Sequence, residues 1–599
     1  MKNVFFGLAL AYDEGRYPAI ALNDENLVIE VHEHTRGNDL LYRIGRLNQM
    51  AVNLDAATTF AQGAQPAIAM RGRNFITVYK SDQGNDLFYR MGRIGDDGIH
   101  FGDGVRYASG EAPCVAMNDN AVIEIHKSHT DNSLWYNLGR LDRGSGNMLW
   151  SRDVHIGDGV WPSVAINGKD QIVMAYRATA RDEDGENIDV DPEIHVRIGR
   201  LQGKDNRIQW SAPIVCGEGL QPAIALSDSG DVILVFASTD RKSLLQRFGQ
   251  LKPGGIDWCG EAVHYDEGQT PCVACAGDMA VQAHRSENTT ELWNSSSRIV
   301  DRSSWMQDHL HWLSAKTLST LTTGAAHDAG MYEHGPRMSL GKTQDLNLYL
   351  QLSNGIRYFD LRPKWTGSAL HVTHGPITGP ALADILGDVK KFMRENHREL
   401  VVLKFSHYSA FDVSVYRKLI ELIQAELDAW LYKPARSARR LADIPLGEYL
   451  QDKGVVLVVC DEDYPLEQPC GGIWVYRDYD SLTASKGDLR VYDKYSNVMI
   501  YDKMKKDQLD KFAKYDGLCT EVDKDSGQHV RCDQFLLSWT LTPPTGVWQF
   551  SKEANRHLGQ AMAEETMPNS FDKVINLLYV DYVEYSRATD VAMSMNGIP

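Results

Sequence analysis

The sequence has no uninterrupted apolar run of about 18 residues, the length a helix needs to cross a bilayer, so no membrane-spanning helix is expected. Basic charge is in deficit. With 62 Lys and Arg against 80 Asp and Glu, the formal net charge of -18 argues against a general binder of nucleic acid or anionic membrane, since either needs a broad basic surface. The basic clusters KPARSARR (433 to 440) and KMKK (503 to 506) read as solvated faces. Cysteine is sparse and irregular: nine residues without regular spacing do not make a disulfide framework, although Cys460 with Cys470 or Cys519 with Cys532 can pair locally in an oxidising compartment. Cys272 and Cys275 in PCVAC lack a second CxxC pair or a nearby Cys/His set, so no zinc site is expected there.

What is present is an ordinary soluble composition, 43% hydrophobic and 24% charged over 599 residues, which is chain enough for at least two domains. The N-terminal MKNVFFGLALAYDEG has the lysine, apolar run and A-x-A of a signal peptide. It is too short for one, and the repeat below claims it as a strand.

That repeat organises the first half. The tag P-x-[IV]-A recurs at Pro18, Pro66, Pro113, Pro162, Pro222 and Pro271, at intervals of 48, 47, 49, 60 and 49 residues. Each unit continues into a β-rich run ending in an aromatic residue or histidine: His32, Tyr79, His126, Tyr176, Phe236 and His284. A second run then closes on Gly-Arg or a variant, as in LLYRIGRL and IHVRIGRL. A period near 47 residues with several short strands per unit is that of a propeller blade, so residues 1–300 are expected to form six blades, with two tandem trefoils as the competing arrangement. VFFGLALAY is expected to supply the strand before the first proline in the first blade. The long interval holds an insertion, ATARDEDGENIDVDPE, expected as a loop of the fourth blade. Repeated aromatic positions suit stacking on carbohydrate, but filling the core between blades or capping a strand is the reading preferred. Gly-Arg reads as a turn with a structural ion pair.

From about Trp305 the texture changes to alternating strands and amphipathic helices. Apolar spacing predicts helices over 381–396 and 415–431 and strands over 399–407 and 454–462, and strand-helix alternation over 305–599 reads as an α/β TIM-like barrel. Such barrels place their chemistry where strands end. The strand ends carry TTGAAHDAG (His327, Asp328), GIRYFDLRP (Asp360, Arg362), LHVTHGPITG (His371, His374), LRVYDKYSN (Asp493, Tyr495) and NLLYVDYVEYS (Asp581). In GIRYFDLRP, alternation puts 358, 360 and 362 on one face and leaves Arg357 on the other, so Asp360 and Arg362 look into something polar and Arg357 is structural. Two histidines with carboxylate partners plus an arginine are what acid/base cleavage of a phosphodiester needs.

These motifs, in this chain order, resemble the catalytic X domain of the phosphatidylinositol-specific phospholipases C, among them the metal-independent bacterial type. The resemblance covers roughly residues 305 to 590. It implies a phosphoric diester hydrolase, formally a lyase of lipid metabolism, that releases diacylglycerol and inositol 1,2-cyclic phosphate. His327 then corresponds to the general base acting on the inositol 2-hydroxyl and His374 to the general acid on the departing oxygen. Asp581 corresponds to the residue holding His327, Asp328 to the support of His374, Arg362 to the phosphoryl clamp and Asp360 to its orienter. Asp493 and Tyr495 match the inositol-binding pair.

Calcium-dependent relatives carry a carboxylate at the position of Arg362 and another near 406, where this chain has Ser406, so no metal and no other cofactor is expected. Two features depart from the bacterial pattern: Lys404 stands two residues before the family's lysine position, and CDED replaces an inositol-binding arginine after GVVLVV. His371 and His407 read as supporting rather than catalytic residues. The partners implied are phosphatidylinositol or a related phospholipid at a membrane surface and a glycan for the propeller, with no nucleic acid and a monomeric chain. The resemblance places the protein outside the cell or peripherally at membranes, while the missing signal peptide leaves the cytoplasm open. The competing function is a lectin-like binding protein whose barrel is inactive or acts on another phosphodiester. The tryptophans Trp305, Trp312, Trp365 and Trp548 suit a bilayer interface at the barrel mouth or plain core packing.

Overall fold

The computed structural model describes residues 2–48, 51–141, 148–181, 187–188, 192–202, 207–333, 341–395, 397–434, 440–461, 471–478, 487–515, 518–522, 529–543, 546–565 and 573–598. The chain forms two compact units, Asn3–Ile299 and Val300–Pro599.

The first unit is all-β. Each proline tag lies in the innermost strand of an antiparallel sheet: Arg16–Leu22, Ala64–Arg71, Glu111–Met117, Val160–Ile166, Leu220–Leu226 and Gln269–Ala276. These six strands pack against one another in chain order, and the last packs against the first, which closes a six-bladed propeller and rules out paired trefoils. VFFGLALAY does not join the first blade. Leu10–Glu14 pairs antiparallel with Glu291–Arg298, Leu10 opposite Asn294 and Glu14 opposite Glu291, so the start of the chain completes the sixth sheet. The strand preceding every later tag likewise belongs to the blade before it, as Thr58–Gln62 does by pairing with Asp39–Leu47.

The recurring aromatic or histidine is buried in every blade and fills core. Each packs on a glycine three residues before a proline. A Cβ placed on Gly15, Gly110, Gly159, Gly219 or Gly268 would come within 2.4–2.6 Å of the ring of His32, His126, Tyr176, Phe236 or His284, and at Gly63 the distance to Tyr79 would be 2.9 Å. The repeat is therefore G-x-x-P-x-[IV]-A. The Gly-Arg pair is not a turn: Gly45 lies inside the strand Asp39–Leu47, and a Cβ there would sit 1.8 Å from the Asn53 carbonyl of the outer strand. Cys272 and Cys275, three apart in one strand, face different core clusters and cannot meet at one ion. Half of the fourth-blade insertion lies outside the described residues; within it Ala180–Arg181 and Asn187–Ile188 pair antiparallel.

One feature of the propeller has no sequence rule behind it. In each inner strand the pairing register slips by one residue just before the proline, as between Arg16↔Glu33 and Ala19↔Val31. The residue in the bulge has positive φ in all six blades: Tyr17 49°, Gln65 52°, Ala112 46°, Trp161 56°, Gln221 52° and Thr270 48°. Residues before proline ordinarily stay extended. Each such left-handed non-glycine residue costs on the order of 1–3 kcal/mol, offset by the bulge packing.

The second unit is a closed barrel of eight parallel strands: Thr323–Ala326, Tyr358–Leu361, Leu400–Phe405, Val455–Cys460, Ile473–Asp478, Leu489–Asp493, Gln534–Ser538 and Leu577–Val580. The predicted helices appear as Leu382–Arg394 and Val413–Leu427; the second is capped by Asp412, which accepts from Val415 N, and buries 415, 416, 419, 420, 423 and 427 as one stripe. His374 ends a strand that is not part of the barrel: Leu370–His374 belongs to an antiparallel three-stranded sheet inserted after the second barrel strand. The barrel core is apolar, including Val402, Leu457, Val459, Val491 and Leu536, and the charges collect near the strands' C-terminal ends. Arg357 points away from them and is wholly buried, with Nε 2.7 Å from Glu399 and its other nitrogens donating to the carbonyls of Arg302, Ser303, Leu352 and Ile356. Trp305 is core, 1% exposed, with its indole N–H on the Gly355 carbonyl, which removes it from any membrane-facing set. Cys532 is disulfide-bonded; Cys470 and the side chain of Cys519 lie outside the described residues. No helix among the described residues is long and apolar enough to cross a membrane.

Because a methyl on Gly159 would overlap Tyr176, Gly159→Ala is expected to destabilise the propeller by about 1–3 kcal/mol. The same change in a Tyr176→Ala background should cost far less, measured by denaturant unfolding of all four proteins.

Candidate active site

The barrel geometry brings nine expected site residues toward one end. His327 follows the first strand, Asp360 and Arg362 end the second, Lys404 lies in the third, Asp493 ends the sixth and Asp581 follows the eighth. Parallel pairing sets Asp360 beside Lys404 and Ala326 beside Val580, so residues from distant segments share one level. A cavity of about 390 Å³ opens there, lined by His327, Arg362, His374, Lys404, Asp493 and Tyr495 among others.

His327 is the hub. Its Nδ1 lies 2.7 Å from Asp581 Oδ1, which fixes the proton on that nitrogen. Nε2 is then 3.1 Å from an Arg362 amino group and 3.2 Å from Asp328 Oδ2. A bare Nε2 accepts from Arg362, and a protonated one carries a charge that Asp328 stabilises, so this atom is built to gain and lose a proton. Burial by itself would lower the pKa of His327, but the charges of Asp328 and Asp581 outweigh it and raise the value to about 9.

Arg362 is clamped between two carboxylates, Nε 2.6 Å from Asp328 Oδ1 and an amino group 3.1 Å from Asp360 Oδ2. Asp328 thus serves Arg362 and His327 first. Its approach to His374, which it was expected to support, is 3.6 Å, a charge contact longer than a hydrogen bond. His374 instead places Nδ1 3.2 Å from the Gly341 carbonyl, leaving Nε2 toward the site. The two imidazole rings stand 6.4 Å apart. Asp360 is fully buried, and burial would push its pKa up, yet Lys404 at 3.0 Å and Arg362 hold it well below the usual carboxylate range. Lys404 also lies 3.8 Å from Asp493, and burial pushes Asp493 up. Lys404 and Ser406, both in reach of Asp360, share one face of the third strand and its end, so the two-residue offset keeps the lysine in the site. Tyr495 is 59% exposed at the rim.

Several lining residues escaped the sequence reading, Tyr579 foremost. Tyr579 donates its hydroxyl to Asp360 Oδ2 at 2.6 Å and lays its ring 5.2 Å from that of His327. The signal was available: Tyr579 is two residues before Asp581 in a strand, hence on the same face. His407 lines the cavity as well, with φ 53°, and burial together with Arg362 and Lys404 lowers its pKa. His371 does not line the cavity; its Nδ1 contacts the Gly379 carbonyl. Among the described residues His327, Asp328 and Asp360 bring three possible metal-ligating atoms within 4.8 Å of one another. The Arg362 guanidinium bonds both of those carboxylates and competes directly with a cation for them.

Residues 313–468 match the family model PI-PLC X 1. A 1-phosphatidylinositol phosphodiesterase of Listeria monocytogenes is 32% identical over 102 residues, 16% of this chain and 31% of that protein. The human PI-PLC X domain-containing protein 2 is 31% identical over 156 residues, 21% of this chain and 50% of its own length. The chain therefore spans half or less of the length of these relatives. The solved phosphatidylinositol-specific phospholipase C of Listeria monocytogenes is similar over 49% of this chain and 98% of its own, at 17% identity and a TM-score of 0.34.

Titration of His327 by NMR is expected to show a midpoint well above the ordinary 6.5, near 9, and Asp581→Asn is expected to lower it. Since the folded value is the higher one, the stabilisation from this pairing is complete below about pH 6.5 and is lost as pH rises through 9.

Proposed function

We propose that the barrel cleaves phosphatidylinositol, or a closely related phosphoinositide-type phospholipid, to diacylglycerol and a cyclic inositol phosphate without a metal ion. The observation that carries this reading is the cluster Asp581–His327–Arg362–Asp328, with the His374 ring 6.4 Å from that of His327 across the cavity floor.

The reaction needs one proton removed and one supplied. In the unprotonated form, whose share grows as pH rises toward 9, His327 Nε2, oriented by Asp581, takes the proton of the inositol 2-hydroxyl as that oxygen bonds to phosphorus. The bond from phosphorus to the diacylglycerol oxygen breaks, and His374 Nε2 gives that oxygen its proton. Charge growing on the non-bridging oxygens meets Arg362, whose guanidinium is held rigid by Asp328 and Asp360 and so needs no reorganisation. Lys404, between Asp360 and Asp493, adds positive charge beside the headgroup. Asp493 accepts from ring hydroxyls, and Tyr495 stacks on the ring. Arginine here performs the electrostatic work of a divalent cation.

The surroundings suit a lipid substrate. Tyr495, Met499 and Ile500, 59%, 49% and 51% exposed, follow the sixth strand on the side where the cavity opens. Apolar side chains so exposed beside a mouth favour contact with a lipid surface.

Diacylglycerol release from phosphatidylinositol vesicles is the test, run with EDTA present. The wild-type rate should not change with chelator. His327→Ala and His374→Ala should each lose about 10²–10⁴-fold in kcat, and Arg362→Lys about 10²–10³-fold. A wild-type protein that releases no diacylglycerol, or a His327→Ala protein at full rate, overturns the reading. Met499→Ser with Ile500→Ser should weaken vesicle sedimentation while leaving cleavage of a monomeric short-chain substrate intact.

A further inference from the structure

The propeller carries a cavity of its own. The six bulge residues and their prolines ring one end of the central channel, around a cavity of about 140 Å³, the space of four or five waters at about 30 Å³ each. Tyr17 and Trp161, from the first and fourth blades, stack there with centroids 6.0 Å apart and planes 23° from parallel. That separation is too small for a ring to slide between them, so the pair forms a platform at the channel mouth. Gln65 and Gln221, from the second and fifth blades, each spend Oε1 on the backbone N–H of the next blade, Ala112 at 2.8 Å and Thr270 at 2.9 Å. Among the described residues nothing accepts from either Nε2, and the buried Thr270 hydroxyl has no partner. No charged residue lines this cavity. The other end of the channel is different in kind: Arg71 reaches across to Asp228 at 3.0 Å and to Asp119 at 3.2 Å.

These features select a ligand by elimination. An ion would find no charged side chain in the lining. A purely apolar molecule would leave amide and hydroxyl donors unpaired. A neutral polyhydroxylated ring offers an apolar C–H face to the aromatic platform and hydroxyls to the amides, and its size suits the cavity. We propose that the propeller mouth ringed by Tyr17, Gln65, Trp161, Gln221 and Thr270 binds a neutral pyranose unit of a glycan. The site lies in the ring of bulges, and not on the repeated aromatic and histidine positions, which are core. It is independent of the reading of the barrel.

The retained left-handed residues also supply the cleanest test. At φ 56° glycine is relaxed where tryptophan is strained, so Trp161→Gly removes the platform without endangering the fold. The full chain is titrated with D-galactose, D-mannose, L-fucose and N-acetyl-D-glucosamine by calorimetry and saturation-transfer NMR. At least one sugar should bind in the millimolar range or tighter, and Trp161→Gly should weaken it by about fivefold or more at unchanged thermal stability. His327→Ala should bind it as the wild type does. If none of the four sugars binds, if Trp161→Gly binds equally well, or if an uncharged nucleoside binds and no sugar does, the proposal fails.

Discussion

A single buried carboxylate organises the barrel's working end. Asp360 has no exposure, and a bare charge there would be intolerable, so the surrounding segments must bring it partners. The second strand supplies Arg362, the third supplies Lys404 and Ser406, and the eighth supplies the Tyr579 hydroxyl. Each partner then has a second task. Arg362 reaches His327 and Asp328, Lys404 reaches Asp493, and Tyr579 packs on the His327 ring. The positions of the reactive groups follow from satisfying one charge. Asp328 pays part of the cost, held at φ 42°.

The propeller depends on a constraint of another kind, closure. The six-bladed ring is fastened by giving Leu10–Glu14, from the start of the chain, to the sixth sheet as its outer strand. Closure brings the six bulges to one end of the channel, where Tyr17 meets Trp161 from 144 residues away in the chain. One unit of this protein thus has charges gathered at its working end, and the other has a channel mouth without charge. The chemistry lining the two cavities differs accordingly.

Much of this was legible in advance. The proline interval announced six units, and the alternation in GIRYFDLRP separated Arg357 from Asp360 and Arg362 as the folded chain does. The helix stripes and the strand cores fell within a few residues of their expected bounds. The glycine of G-x-x-P and Tyr579 were both visible in the letters and were passed over, because a small residue and a tyrosine in a strand each have ordinary explanations. The assignment of VFFGLALAY was wrong for a better reason. Nothing local tells a strand whether it pairs forward into its own unit or backward across the ring.

By itself the sequence determined what short-range rules govern: the period of the blades, which faces of strands and helices are apolar, and which residues stand at strand ends in motif order. Those follow from side-chain alternation and chain stereochemistry over a few residues. Only the tertiary structure decided that Asp328 belongs to Arg362 and His327 before His374, that Asp581 holds His327 across 254 residues, and that the first strand completes the last blade. It also decided the backbone strain at the six bulges and at Asp328 and His407. Partner choice and strain depend on register between segments hundreds of residues apart, and no local energy in the unfolded chain distinguishes one such pairing from another.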